Sequence, residues 1–150
     1  MKDLTLYTSC LEETHILGKK IGEAAEENMV ILLDGDLGAG KTALTQGIAM
    51  GLGIRKRVTS PTFTILKIYK GRLTLYHIDA YRLEGHAQDL GFDEFLNDDG
   101  LTVIEWSQFV PDLIPDEWLK VSIELMDEDK RKFSFLANGS RYEKLLEALI

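Results

Sequence analysis

The segment Gly35-Asp36-Leu37-Gly38-Ala39-Gly40-Lys41-Thr42 constrains this chain more than any other. It fits the phosphate-loop pattern G-x-x-x-x-G-K-[ST] and follows the apolar, branched run Met29-Val30-Ile31-Leu32-Leu33. A strand leading into a glycine loop, with a helix leaving it, is the context that gives the pattern a mechanism. Glycines let the backbone close around phosphate oxygens with no Cβ in the way. The backbone N–H groups of Asp36, Leu37, Gly38, Ala39, Gly40, Lys41, Thr42 and Ala43 then converge on the anion, and the helix dipole adds positive potential. Lys41 is expected to reach the β- and γ-phosphates, and the Thr42 hydroxyl to bind Mg²⁺. A chance glycine turn is the competing explanation. Given ordinary glycine usage, such a match arises by accident in roughly one chain of this size in a hundred.

The chain of 150 residues has the length of one domain, and 45% hydrophobic content suits a globular core. No apolar run approaches a membrane span, and Met1-Lys2-Asp3-Leu4-Thr5 does not begin a secretory signal. The single cysteine, Cys10, excludes an internal disulfide and fits a cytoplasmic protein; it reads as a small buried apolar residue. Net charge is −8, which disfavours strong nucleic-acid binding by this chain alone. The basic groups Arg55-Lys56-Arg57 and Lys67, Lys70 and Arg72 read as solvated loop and strand-face charges.

Periodicity outlines the elements. Leu4–Thr8 is expected to be a short strand. Ser9 and Glu12 fit a capping box opening a helix, with Leu17, Ile21, Ala24 and Ala25 at helical spacing. A strand over 29–34 precedes the loop, and a helix from Lys41 to about Leu52 follows it, closed by Gly53. Thr64–Tyr69 and Leu73–Ile78 read as a hairpin around Lys70-Gly71. A short helix is expected near Phe92–Leu96, and a buried strand over Leu101–Ile104. Pro111 and Pro115 mark a loop. Trp118–Met126 and Lys132–Leu136 read as strands joined around Asp127-Glu128-Asp129. Ser140 and Glu143 form a second capping box before a last helix. The whole predicts an α/β, phosphate-loop NTPase-like three-layer domain, 1–150, with a mixed parallel and antiparallel central sheet.

Hydrolysis of a nucleotide needs a metal carboxylate and a group that places water. Ligands of open α/β sheets sit beyond the carboxyl ends of strands. Asp79, after Leu75-Tyr76-His77-Ile78, and Glu105, after Leu101-Thr102-Val103-Ile104, stand at two such ends. Either can hold Mg²⁺ through water while the other polarises the attacking water; strand-end carboxylates meeting solvent are the plain alternative. Thr59-Ser60-Pro61-Thr62 has hydroxyls on both sides of a stiff proline, where a γ-phosphate sensor sits in switch-type NTPases, or is an ordinary turn. His77 reads as a packed strand histidine. Trp106 reads as core. His15 and His86 have no companions at metal-ligand spacing, and zinc is not expected.

Four blocks, Leu37-Gly38-Ala39-Gly40-Lys41-Thr42, Ser60-Pro61-Thr62-Phe63, His77-Ile78-Asp79-Ala80-Tyr81-Arg82 and Ile104-Glu105-Trp106, occur in the order seen in the TsaE (formerly YjeE) family, which the chain resembles over nearly its whole length. That resemblance implies a cytoplasmic, weakly active, Mg²⁺-dependent ATPase cycling between ATP and ADP. It implies association with the TsaD–TsaB pair, which places a threonylcarbamoyl group on N6 of adenosine 37 of tRNA, with tRNA met only through that complex. The family does not transfer the group; its ATP cycle resets the complex between turnovers. On this chain the resemblance assigns Thr42 and Glu105 to magnesium and adds Asp79 to the metal and hydrolysis site. Ser60 and Thr62 fall in the switch-like loop, and Trp106 beside the site. Arg131 approaches the nucleotide from the C-terminal strands, and the adenine packs near Leu11.

Three other readings compete. A small-metabolite kinase shares the loop and the size, but generally needs an arginine-bearing lid, and residues 83–100 after Arg82 contain no arginine or lysine. A GTP-driven switch usually carries an Asn/Thr-Lys-x-Asp motif, which is absent. A nucleotide-sensing adaptor without turnover differs only in its catalytic rate.

Overall fold

Residues 29–33 form a strand apolar on both faces, and all five are buried, as expected of a strand with cover on each side. The computed structural model describes residues 1–36, 39–58, 66–83 and 99–150. Leu37, Gly38, Ser60, Thr62, His86 and the helix expected near Phe92–Leu96 lie outside the described residues.

The described strands are β1 (Lys2–Thr8), β2 (Met29–Gly35), β3 (Leu66–Tyr69), β4 (Leu75–Asp79), β5 (Leu101–Glu105), β6 (Trp118–Leu125) and β7 (Arg131–Asn138). They form one sheet in the order β1-β7-β6-β2-β5-β4-β3. The centre is parallel: β2 pairs with β5 and β6, and β5 with β4. Both flanks are antiparallel hairpins, β3–β4 on one side and β6–β7 with β1 on the other. The sheet is therefore mixed, as the pattern of strands predicts.

Three described α-helices, α1 (Leu11–Ala24), α2 (Lys41–Gly51) and α3 (Ser140–Glu147), share one core. Leu17, Ile21, Leu44, Ile48 and Leu146 meet Ile31, Leu33, Val103, Phe133 and Phe135 there. The opposite face buries Val30, Leu32, Ile78 and Ile104 under Val110 and Leu113, from two short 3₁₀ turns at Ser107–Phe109 and Pro111–Leu113. Helices, sheet and a thin roof of turns make the layers.

Helices α1 and α2 run parallel and touch backbone to backbone. A Cβ on Gly18 would lie 2.5 Å from the Leu44 carbonyl oxygen, and one on Gly47 would lie 2.5 Å from that of His15. Gly22 and Gly51 face each other one turn further on. Both helices carry the G-x-x-x-G spacing that puts glycines on one stripe.

Both capping boxes shift. Thr8 stays in β1 opposite Arg131, and its hydroxyl meets that of Thr14 at 2.7 Å. The chain is therefore still extended at Cys10, which takes the N-cap position with no side-chain cap, and α1 starts at Leu11. Glu13, not Glu12, accepts the Ser9 N–H at 2.6 Å. Cys10 is half-buried rather than buried. At the other end, Ser140 is already helical. The turn out of β7 is made at Gly139 (φ 118°), a conformation open to glycine, so no side-chain oxygen caps α3.

The hairpin connection is longer than Lys70-Gly71, and β4 starts at Leu75 rather than Leu73. Arg72 explains this. Its guanidinium donates to the Gly22 and Ala25 carbonyls at 2.8 and 2.9 Å, and its own N–H donates to Leu52 O at 2.7 Å. Residues 71–73 are thus drawn onto the C-terminal ends of α1 and α2, satisfying carbonyls that a helix end leaves open.

Candidate functional site

The loop between β2 and α2 turns into the helix at Gly40, whose φ of 114° a side chain rarely adopts. Ala39 N–H donates to Asp36 O, and Leu44 N–H to Gly40 O, each at 3.0 Å. The first-turn amides of α2, those of Lys41, Thr42 and Ala43, have no carbonyl of their own helix to bond and stand at the positive end of its dipole. Thr42 and Ala43 are half-buried, Asp36 is exposed. Arg131, the first residue of β7, comes beside this turn: a Cβ on Gly40 would lie 3.5 Å from its Nε. Its guanidinium also donates to Glu128 O at 3.3 Å, which anchors it in the β6–β7 hairpin.

Strand β5 lies between β2 and β4, so Glu105 stands opposite Leu33 on one side and Asp79 on the other. The two carboxylates foreseen at strand ends are therefore register partners. Glu105 is buried, and its Oε1 lies 3.8 Å from the buried Lys41 Nζ. A buried ammonium is costly without a counter-charge, and Glu105 supplies it here. Asp79 is half-buried; its Oδ1 accepts the Tyr81 N–H at 3.0 Å, which turns the chain sharply after β4.

Trp106 follows Glu105 in the left-handed conformation (φ 59°), a costly one for an aromatic residue. It is held by ring contacts to Tyr81 at 5.1 Å and Phe109 at 6.2 Å. In that pose its indole lies under Lys41, whose Nζ is 4.4 Å from the ring centre. The contact is a cation–π pair, so Trp106 belongs to the site and not simply to the core.

By its sequence His77 reads as a packed strand residue, but the structure brings it into the site. It is fully buried, and its Nε2 lies 2.5 Å from Glu105 Oε2. Its spacing from Asp79 gave a hint, because side chains two apart share a face; the register of β4 on β5 was the missing fact.

Two cavities flank the loop. One, of about 680 Å³, is lined by Lys41, Asp36, Trp106 and Trp118 among others, with the Asp34–Lys120 ion pair (3.2 Å) on its wall. The other, of about 610 Å³, lies between Asp34–Asp36 and Ser122–Leu125. Leu11 lines another recess, of about 360 Å³, with His15, Gln46, Met50 and residues 55–58; no described residue of the phosphate loop lines it. His15 Nε2 meets Gln46 Oε1 there at 3.0 Å, and Gln46 donates to Val58 O at 3.0 Å.

Among the described residues no three His, Cys, Asp or Glu side chains cluster as a metal cage. The donors on hand, one or two carboxylates and a hydroxyl, suit magnesium, which completes its shell with phosphate and water oxygens. No described helix is long and apolar enough to cross a membrane.

The family model described as "Threonylcarbamoyl adenosine biosynthesis protein TsaE" matches residues 8–133. Relatives bearing the name "tRNA threonylcarbamoyladenosine biosynthesis protein TsaE" include one from Bacillus subtilis, 45% identical over 150 residues, covering 99% of this chain and 95% of that protein. Another, from Treponema pallidum, is 40% identical over 125 residues, covering 82% of this chain and 93% of its own. A third, from Haemophilus influenzae, is 32% identical and covers 99% of this chain and 98% of its own. Among solved structures, the crystal structure of Bacillus subtilis YdiB superposes with a TM-score of 0.84 at 40% identity, covering 99% of this chain and 94% of that one.

Proposed function

Because this chain belongs to the TsaE family of tRNA threonylcarbamoyladenosine biosynthesis, we propose that within that pathway it is a Mg²⁺-dependent, slow ATPase. It acts on the TsaD–TsaB pair and resets that complex between turnovers without transferring the threonylcarbamoyl group itself. One observation carries the reading. Lys41, at the first turn of α2, is buried against Glu105 and Trp106, and Glu105 stands beside Asp79 at adjoining strand ends.

Each part has a task in phosphoryl transfer. The α2 amides and Lys41 bind the phosphate tail, and Arg131 adds positive charge beside Gly40. Thr42 and Glu105, with Asp79, would hold magnesium, which when bound supplies positive charge to the phosphate oxygens. Glu105 or Asp79 orients the attacking water. Trp106 covers the Lys41 side of the site and limits solvent there. Ser60 and Thr62 are proposed to respond to the γ-phosphate, and the state they adopt is what the partner reads. A cytoplasmic location accords with this role.

Co-purification with TsaD and TsaB, with and without ATP, followed by a tRNA modification assay, tests the proposal. Nucleotide-dependent association, and multiple-turnover modification that requires this chain, are expected. Association and modification indifferent to ATP would overturn it.

A further inference from the structure

We infer that His77 is a positioning residue, which holds the Glu105 carboxylate off Lys41 and aims its second oxygen at the phosphate-loop side of the site. The inference rests on the proposed pairing of Lys41 with phosphate and of Glu105 with magnesium.

The sheet register creates the contact. His77 stands opposite Val103, and Asp79 opposite Glu105, so His77 and Glu105 are diagonal neighbours on the helix-side face of β4 and β5. The side chains are 0% and 7% exposed, so solvent does not compete for the bond. A carboxylate accepts, so the ring hydrogen sits on Nε2. Nδ1 is buried and without a hydrogen-bond partner among the described residues. Glu105 is thus the one polar contact of the ring among the described residues. Burying an imidazole in a strand whose neighbours are Leu75, Ile78 and Val103 is costly unless it bonds to something. The bond it makes is to the site.

The two carboxylate oxygens are held unequally. Oε2 lies 2.5 Å from His77, whereas Oε1 lies 3.8 Å from Lys41. An ammonium and a carboxylate left to themselves close to about 2.8 Å. His77 therefore wins one oxygen and keeps the Lys41 pair open. Lys41 is freed to exchange its loose carboxylate contact for a phosphate, and Oε1 is the oxygen left for the magnesium that Glu105 and Thr42 would hold. Without His77 both oxygens would turn onto Lys41, and ATP would have to break a closed ion pair.

The test compares wild type with His77→Leu, His77→Gln and His77→Asn. The Gln amide reaches the place of Nε2; the Asn amide reaches only that of Nδ1. ATP affinity is measured by calorimetry in EDTA, and the magnesium dependence of hydrolysis separately. His77→Leu is expected to remain folded, to bind ATP about tenfold more weakly in EDTA, and to need about 10–100-fold more magnesium for half-maximal hydrolysis, the usual range for lost outer contacts to metal ligands. His77→Gln is expected to restore both and His77→Asn neither. Nitrogen NMR of the metal-free wild type is expected to show the Nε2–H tautomer. A folded His77→Leu with wild-type affinity and magnesium dependence would overturn the inference. If His77→Leu does not fold, equal behaviour of the Gln and Asn variants does so instead. Wild type that binds no ATP defeats this inference and the parent proposal together, whereas active wild type with unaffected variants defeats this inference alone.

Discussion

The Tyr142 hydroxyl accepts the Val30 backbone N–H at 2.7 Å. A side chain from α3 thereby stands where a strand would, because β6 joins β2 only from the Ile31–Leu119 pair onward. The strand that leads into the phosphate loop is pinned at its start by a residue more than a hundred positions away in sequence.

Tyr142→Phe leaves that buried N–H without its acceptor. A loss of about 1–3 kcal/mol in chemical denaturation is expected. Burial pushes the Tyr142 phenol above its ordinary value of 10.0, partly opposed by the Val30 bond and the Arg141 charge. The folded chain then holds this proton more tightly than the unfolded one. The associated stability is complete below pH 10 and is lost as pH rises through the raised folded value. Tyr142→Phe should flatten that part of the alkaline stability profile.

Lys41→Met keeps the apolar stem and removes the charge. With about 1.5–3 kcal/mol for a charged hydrogen bond, ATP affinity by calorimetry should fall by about 10²–10⁴-fold if two phosphates are contacted. Undiminished binding would remove Lys41 from the phosphate site.

Glu105→Gln keeps the shape of the side chain and its place beside Asp79. Nucleotide binding should persist while hydrolysis falls by about 10²–10⁴-fold, the range for losing a residue that handles protons in the transition state. Phosphate release measured under single-turnover conditions separates the two effects. Normal hydrolysis would move the role elsewhere, with Asp79 the next residue to test.

Gly18→Ala and Gly47→Ala each place a methyl group against a backbone carbonyl across the α1–α2 contact. Neither carbonyl can turn aside, so each should cost about 1–3 kcal/mol, the range for overpacking. Thermal denaturation of both variants provides the check. A neutral result would mean that the helices separate at little cost.

Much of this molecule was legible from residue pattern alone. The apolar run before Gly35, the hairpin punctuation at Lys70-Gly71 and the alternation in β6 and β7 each carry their own local period, and they produced the mixed sheet. Glu105 and Asp79 were found because each ends an apolar run. Their adjacency was not legible, since pairing of β4 with β5 is non-local. His77 was missed for the same reason. The caps at Ser9 and Ser140 moved because the chain stays extended through Cys10 after β1 and β7 continues to Asn138, and extended structure outweighs a local capping preference. The glycine seam between α1 and α2 was printed in the sequence twice as G-x-x-x-G, but only a partner helix gives that spacing meaning.

That seam has a mechanical corollary. With no side chains between them to act as a cushion, the helix that begins at Lys41 cannot roll or slide independently of α1. Any tilt imposed at the phosphate end must carry α1 with it as one rigid lever. Its leading end is tied through Thr14 to Thr8, and Thr8 sits beside Arg131 at the sheet margin. Whatever displaces the loop end of α2 must therefore be shared with α1 and, through Thr8, with the edge strand β1.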